Sequence, residues 1–162
     1  MGCLMKRGTI TFLKSAVCII AIVILSLCIF ALPSLAGYTA SMYPEFAFLK
    51  YPVLIGLYFS AIPFFFALYQ SYNLLEVIKN KKAFSELGVM PLRYIMVCAI
   101  TISVLYVIGI FIMAVLNALH PGIAIIGITI IFASLIIAYF SAVLQHLLSS
   151  AIELKSENEL TI

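Results

Sequence analysis

Four long apolar stretches, separated by short polar islands, make up most of this chain. A bilayer hydrocarbon core of about 30 Å is crossed by about 20 helical residues rising 1.5 Å each. Residues 15–36, 53–72, 94–117 and 122–149 all meet that length. The pattern predicts four spanning helices in an all-α integral membrane bundle, with tails at 1–14 and 150–162. The turn at 117–122 is so short that the third and fourth spans must form an antiparallel hairpin.

Small residues recur at near-helical intervals in two of the spans. In the second these are Gly56, Ser60, Ala67 and Ser71 around Pro63; in the fourth, Gly127, Ser134, Ala138, Ser141, Gln145 and Ser149. Helices associate in lipid through close approach at small residues and through interhelical hydrogen bonds. The second and fourth spans are therefore expected inside a compact bundle or at a homo-oligomer interface, a pore lining being the rival reading. Pro52 suits the first turn of its helix, where a missing N–H costs nothing. Pro63 lies mid-span, removes a bond to the Phe59 carbonyl and predicts a kink.

The polar islands differ in character. Residues 37–51 carry Tyr38, Tyr43, Phe46, Phe48 and Tyr51 around Pro44, Glu45 and Lys50. That mixture favours the headgroup zone, so the segment reads as lying on the membrane surface, or as a recognition loop for an extracellular peptide or lipid. Leu74, Leu75 and Ile78 extend the second helix, and Asn80 is its expected stop. Lys81-Lys82 forms the turn, and Ser85 is placed to cap a short helix that Pro91 limits or leads into the third span. These lysines favour anionic headgroups, at about 1 kcal/mol each near the surface, or serve topology alone. The tail from 150 is acidic, with Ala151, Ile152, Leu154 and Leu160 as its apolar residues. It extends the fourth helix toward the basic turn or a cytosolic partner, or it frays in solvent.

Composition narrows the class. The chain is 65% hydrophobic and 9% charged, with mean hydropathy +1.26, where soluble domains carry roughly 25% charged residues. One membrane domain is expected, without a soluble catalytic domain. Eight of the nine Lys and Arg residues, all except Lys50, fall on one side of the four spans. Short-loop Lys/Arg bias orients helical membrane proteins, so both termini and the middle loop are expected in the cytoplasm. The net charge of +3 comes mostly from these topogenic residues, and no direct nucleic-acid binding is expected.

Two N-terminal patterns imitate processing signals. Ser34-Leu35-Ala36 resembles a signal-peptide cleavage site, yet the apolar run from Ser15 exceeds the usual signal-peptide core. Met1-Gly2-Cys3 resembles a lipidation start, but Lys6 stands where a myristoylation motif needs Ser or Thr. Neither cleavage nor acylation is expected.

Candidate chemistry is sparse. Cys3, Cys18, Cys28 and Cys98 lie in the first tail or inside spans and read as packing residues, with no disulfide and no metal-ligand spacing. His120 reads as a turn residue, and His146 has no carboxylate near it in sequence. No Asp, Glu, Lys or Arg lies inside a span, whereas ion-coupled transporters keep such groups there. With no catalytic set and no phosphate-cradling loop, the sequence predicts a non-enzyme without cofactor or metal.

Across most of its length the chain resembles the YoaS-like family of bacterial membrane proteins, a domain-of-unknown-function family. The residues carrying this are the 52–69 stretch with Ala61-Ile62-Pro63-Phe64-Phe65, then Asn80-Lys81-Lys82-Ala83-Phe84-Ser85, Cys98-Ala99-Ile100-Thr101-Ile102, and the tail Lys155-Ser156-Glu157-Asn158-Glu159-Leu160-Thr161-Ile162. Glu159 departs from the family's usual Asp. The resemblance implies four spans in a bacterial cytoplasmic membrane and frequent encoding beside a small helix-turn-helix regulator. It carries over no activity and no catalytic residues.

The leading functional expectation is a sensor or tether for such a regulator, with Lys79, Lys81, Lys82, Phe84, Ser85, Glu157, Asn158 and Glu159 as the contact surface. The alternative is an immunity or envelope-stress protein acting against membrane-active peptides. A small channel or exporter is the third.

Overall fold

The computed structural model describes residues 2–161, with side chains from Arg7 onward. Met1, Ile162 and the side chains of Cys3 and Lys6 lie outside the described residues. The described chain is helical apart from short turns: α1 (Gly2–Ser26), a π-helical turn (Leu27–Ala31), α2 (Leu32–Met42), a 3₁₀ segment (Pro44–Leu49), α3 (Lys50–Lys79), α4 (Glu86–Val115) and α5 (Pro121–Leu160). Four stretches are long and apolar enough to cross a membrane: Arg7–Met42, Pro44–Lys79, Glu86–Val115 and Pro121–Leu160.

The first stretch, α1 to α2, is one helical path interrupted by a register shift, and Pro33 supplies the reason. A proline inside a helix lacks the N–H that would bond four residues back and crowds that carbonyl. Here the Leu32 N–H bonds five residues back to the Leu27 carbonyl, the π pattern that absorbs one extra residue. The shift takes Leu32 away from the Cys28 carbonyl, and Pro33 has no hydrogen to offer in its place. The Tyr58 hydroxyl of α3 donates to that carbonyl at 2.9 Å.

Residues 37–51, expected as a surface loop, are mostly helical. α2 continues to Met42, only Tyr43 breaks the path, and α3 begins at Lys50. No run of turn residues punctuates this segment beyond Pro44, so the helices extend toward each other. α4 likewise runs unbroken through Pro91. The proline sits in its second turn, where its ring crowds only the Leu87 carbonyl.

The helices pack in chain order: the first span on α3, α3 on α4, and α4 on α5. The inner helices are thus α3 and α4. The expected inner position holds for the second span, whereas the fourth lies at one edge and the first at the other. Burial is greatest on α4, where 28% of the apolar window is buried, and least on the first span at 0%, with α5 at 17% and α3 at 6%. Along α5, Gly127, Ser134, Ala138 and Ser141 are the buried residues, spaced seven, four and three apart as one helical seam requires. A β-carbon on Gly127 would meet the end of Ile110 at 2.6 Å. Ser103 of α4 donates across the same interface to the Ile131 carbonyl at 3.3 Å.

Candidate functional site

One end of the molecule carries both terminal segments and the α3–α4 turn, and most of the charge. α3 stops in a Schellman arrangement: the Lys81 N–H bonds the Ile78 carbonyl and the Lys82 N–H bonds the Val77 carbonyl. Asn80, the expected stop, is the C-cap. Lys81 then takes the left-handed conformation, φ 56°, a position usually given to glycine because a β-carbon is unfavourable there. This geometry turns Lys79, Lys81 and Lys82 outward, all three exposed, with Phe84 exposed beside them.

Ser85 stands at the N-cap of α4 with extended backbone, but its hydroxyl makes no capping bond. It donates back to the Lys82 carbonyl and ties the turn together. The expected side-chain cap is thereby corrected: the hydroxyl closes the turn, not the helix. The backbone carbonyl of Ser85 accepts from the Gly88 N–H at 2.9 Å.

Gly88 joins this turn to α5. A β-carbon there would lie 2.4 Å from the Ala83 carbonyl oxygen and 3.1 Å from Leu148 Cδ2. Only glycine lets the first turn of α4 fit beneath the basic turn and against α5. α5 then continues as helix to Leu160, so the acidic tail is a helical extension. Beyond Ser149 it adds eleven residues, about 16 Å at 1.5 Å per residue. Glu153, Lys155, Glu157, Asn158 and Glu159 are exposed along it. No ion pair links this extension to the basic turn among the described residues. The turn and α5 share one end of the molecule, and their charges remain separate.

A polar cluster missed by the sequence reading closes the first span onto α3. Lys14 pairs with the Glu76 carboxylate, and its ammonium lies 4.7 Å from the centre of the Tyr72 ring. The Lys14 side chain is 12% exposed and that of Glu76 44%, so the lysine gives up most of its hydration and the carboxylate keeps part. The sequence did hold a signal. Lys14 is the last charge before the first span and Glu76 the first after the second, which a hairpin brings to one depth.

Two apolar clefts open on the sides of the spans. One, about 210 Å³, lies between the first span and α3 beside Cys18, Phe65, Leu68 and Tyr69. The other, about 310 Å³, lies between α3 and α4 at Pro63. Phe59, Ile62 and Phe66 form its α3 wall and Thr101 and Leu105 its α4 wall, with Cys98 between. The Phe66 and Tyr94 rings meet edge to face at 5.8 Å.

The small residues of α3 divide between faces. Ser60 is buried and bonds the Leu57 carbonyl at 2.8 Å; Pro63 and Ala67 are half-buried. Gly56 is exposed, and a β-carbon on it would meet no atom within 4 Å. Gln70, which the sequence reading did not single out, is buried. On α5, Gln145 is half-buried and His146 exposed. At the opposite end of the molecule, His120 caps α5, its Nδ1 accepting from the Gly122 N–H at 3.2 Å. Tyr38, Tyr43, Phe48 and Tyr51 are exposed there, and the Lys50 ammonium lies 5.7 Å from the Tyr51 ring centre.

Comparison with known proteins agrees with this architecture. A family model described as a protein of unknown function (DUF2975) matches residues 34–162. The chain is also 51% identical over 161 residues to "Uncharacterized membrane protein YoaS" of Bacillus subtilis (strain 168), covering 98% of this chain and 100% of that protein. No solved structure matches. Four apolar spans, a family match from the end of the first span onward, and full-length similarity to a membrane protein place this chain in the DUF2975 family, a family of unknown function.

Proposed function

We propose that this protein is a non-enzymatic sensor or tether of a bacterial cytoplasmic membrane, with both termini and the α3–α4 turn in the cytosol. Its soluble partner is a small helix-turn-helix regulator, held by the basic turn and the acidic extension of α5. The observation that carries this reading is the presentation of two ordered, oppositely charged elements at one end of the molecule. Lys79, Lys81 and Lys82 stand on a closed turn, and Glu157, Asn158 and Glu159 on a helix. An internal ion pair would have consumed both surfaces; instead each keeps its charge for a partner. A preformed helical extension also lowers the ordering cost that a disordered tail incurs on binding.

The test is affinity purification of the full chain in mild detergent, followed by mass spectrometry. The expected result is a co-purifying regulator that is lost when Lys79, Lys81 and Lys82 are changed to Gln, or when the chain stops after Ser149. Recovery of no regulator with both elements intact would sink the partner assignment. The orientation has its own measurement. Single cysteines at Lys81 and Glu157 should resist a membrane-impermeant thiol reagent in intact cells, and one at Glu45 should react.

A second reading, protection against membrane-active peptides, draws on the exposed aromatic cluster at the opposite end, Tyr38, Tyr43, Phe48 and Tyr51. Unchanged peptide sensitivity after deletion of the gene would count heavily against it.

A further inference from the structure

We propose that the groove between α3 and α4 at Pro63 is a phospholipid site, with one acyl chain lying beside Pro63 and an anionic headgroup bound by Arg93. The groove supplies the apolar half. Its walls are Phe59, Ile62 and Phe66 on one helix and Thr101 and Leu105 on the other. The Thr101 hydroxyl bonds its own helix at the Val97 carbonyl, 2.8 Å away, so the wall offers hydrocarbon and no free donor. The Phe66–Tyr94 ring pair stands toward the lysine-bearing end, where tyrosines mark the interface.

Arg93 supplies the charged half. It stands between Leu92 and Tyr94 on α4, is exposed, and forms no ion pair among the described residues. Arg93 lies five residues before Cys98, about 8 Å nearer the lysine-bearing end than the groove wall, and side chains on a helix slope toward its N-terminus, which aims it further toward the headgroups. A guanidinium recognises phosphate through parallel hydrogen bonds. Neighbouring carboxylates do not satisfy it: Glu76 is held by Lys14, and Glu86 lies seven residues earlier on α4, about 10 Å along the axis.

The site is separate from the proposed partner surface. Lys79 lies thirteen residues beyond Phe66, the last α3 residue of the groove, about 20 Å along the axis, so either assignment stands if the other fails.

The experiment uses the full chain, delipidated in mild detergent, with palmitoyl-oleoyl phosphatidylglycerol or the phosphatidylcholine of the same chains added back and read by native mass spectrometry. One phosphatidylglycerol is expected per chain, retained at least tenfold over phosphatidylcholine. Arg93→Gln should remove that preference, Arg93→Lys should restore part of it, and Thr101→Trp should block retention by filling the groove with Arg93 intact. Helicity by circular dichroism identifies a misfolded variant, in which case Leu105→Phe replaces Thr101→Trp as the groove block. Equal retention of both lipids, or phosphatidylglycerol retention unchanged in Arg93→Gln or in the groove block, overturns the proposal. So does a dimer that the groove block disrupts, since a second copy would then be the occupant.

Discussion

Tyr58 and Cys28 show how a single proline propagates through a membrane protein. Water is absent to satisfy a carbonyl released by Pro33, so another helix must supply the donor. Tyr58→Phe should destabilise the protein by about 0.5–2 kcal/mol, the range of membrane interhelical hydrogen bonds and of unsatisfied acceptors. Pro33→Ala returns a backbone donor to this region, so Tyr58→Phe should cost less in that background. A double-mutant cycle of unfolding free energies in detergent measures the difference; additive costs would mean that the hydroxyl and the proline are unconnected. The Lys14–Glu76 pair permits a second cycle. Either Lys14→Gln or Glu76→Gln should cost about 1–3 kcal/mol, the scale of a hydrogen bond to a charged group. The exchange of both residues, Lys14→Glu with Glu76→Lys, should recover much of it, judged by thermal unfolding.

The elements were legible to different degrees, for physical reasons. Span number, the 117–122 hairpin and the Asn80 stop follow from apolar length and turn chemistry, whereas turn chemistry left open whether Pro91 limits a short helix or leads into the third span, and α4 runs through it. The π turn does not, because a one-residue shift leaves no trace in a run apolar on every side, and Pro33 alone marks it. Nor does the sequence reveal which face packs: Gly56 belongs to the same small-residue pattern as Ser60, yet one meets open space and the other is buried. Glycine roles are clear only from neighbours. Gly88→Ala places a methyl group against a backbone carbonyl and should cost about 1–3 kcal/mol, as overpacking does. Gly127→Ala meets only the Ile110 side chain, at its Cδ1 and Cγ1, and gains up to about 1 kcal/mol of helix propensity, so its net cost should be smaller than that of Gly88→Ala. Thermal unfolding of the two variants should separate them; equal losses would show that the Ala83 carbonyl is free to move. The candidate contact residues were named from the charged turn and tail and from the family resemblance, whereas their presentation on a Schellman turn and a helical extension needed the fold.

For the whole molecule, packing in chain order bears on biogenesis. Every interface joins a helix to the next span made, so no contact waits on a distant segment and contact order is low. Each helix can find its neighbour as it leaves the ribosome, and the exposed edge of a partly built molecule is the surface its next helix will cover. Nascent chains arrested once α3 has entered the membrane, with Lys14 and Glu76 replaced by cysteine, should therefore be bridged by a short thiol crosslinker as efficiently as the finished protein. A requirement for α5 would contradict sequential assembly. The chain-order row thus amounts to a folding route recorded in the final architecture, with synthesis setting the order of its steps.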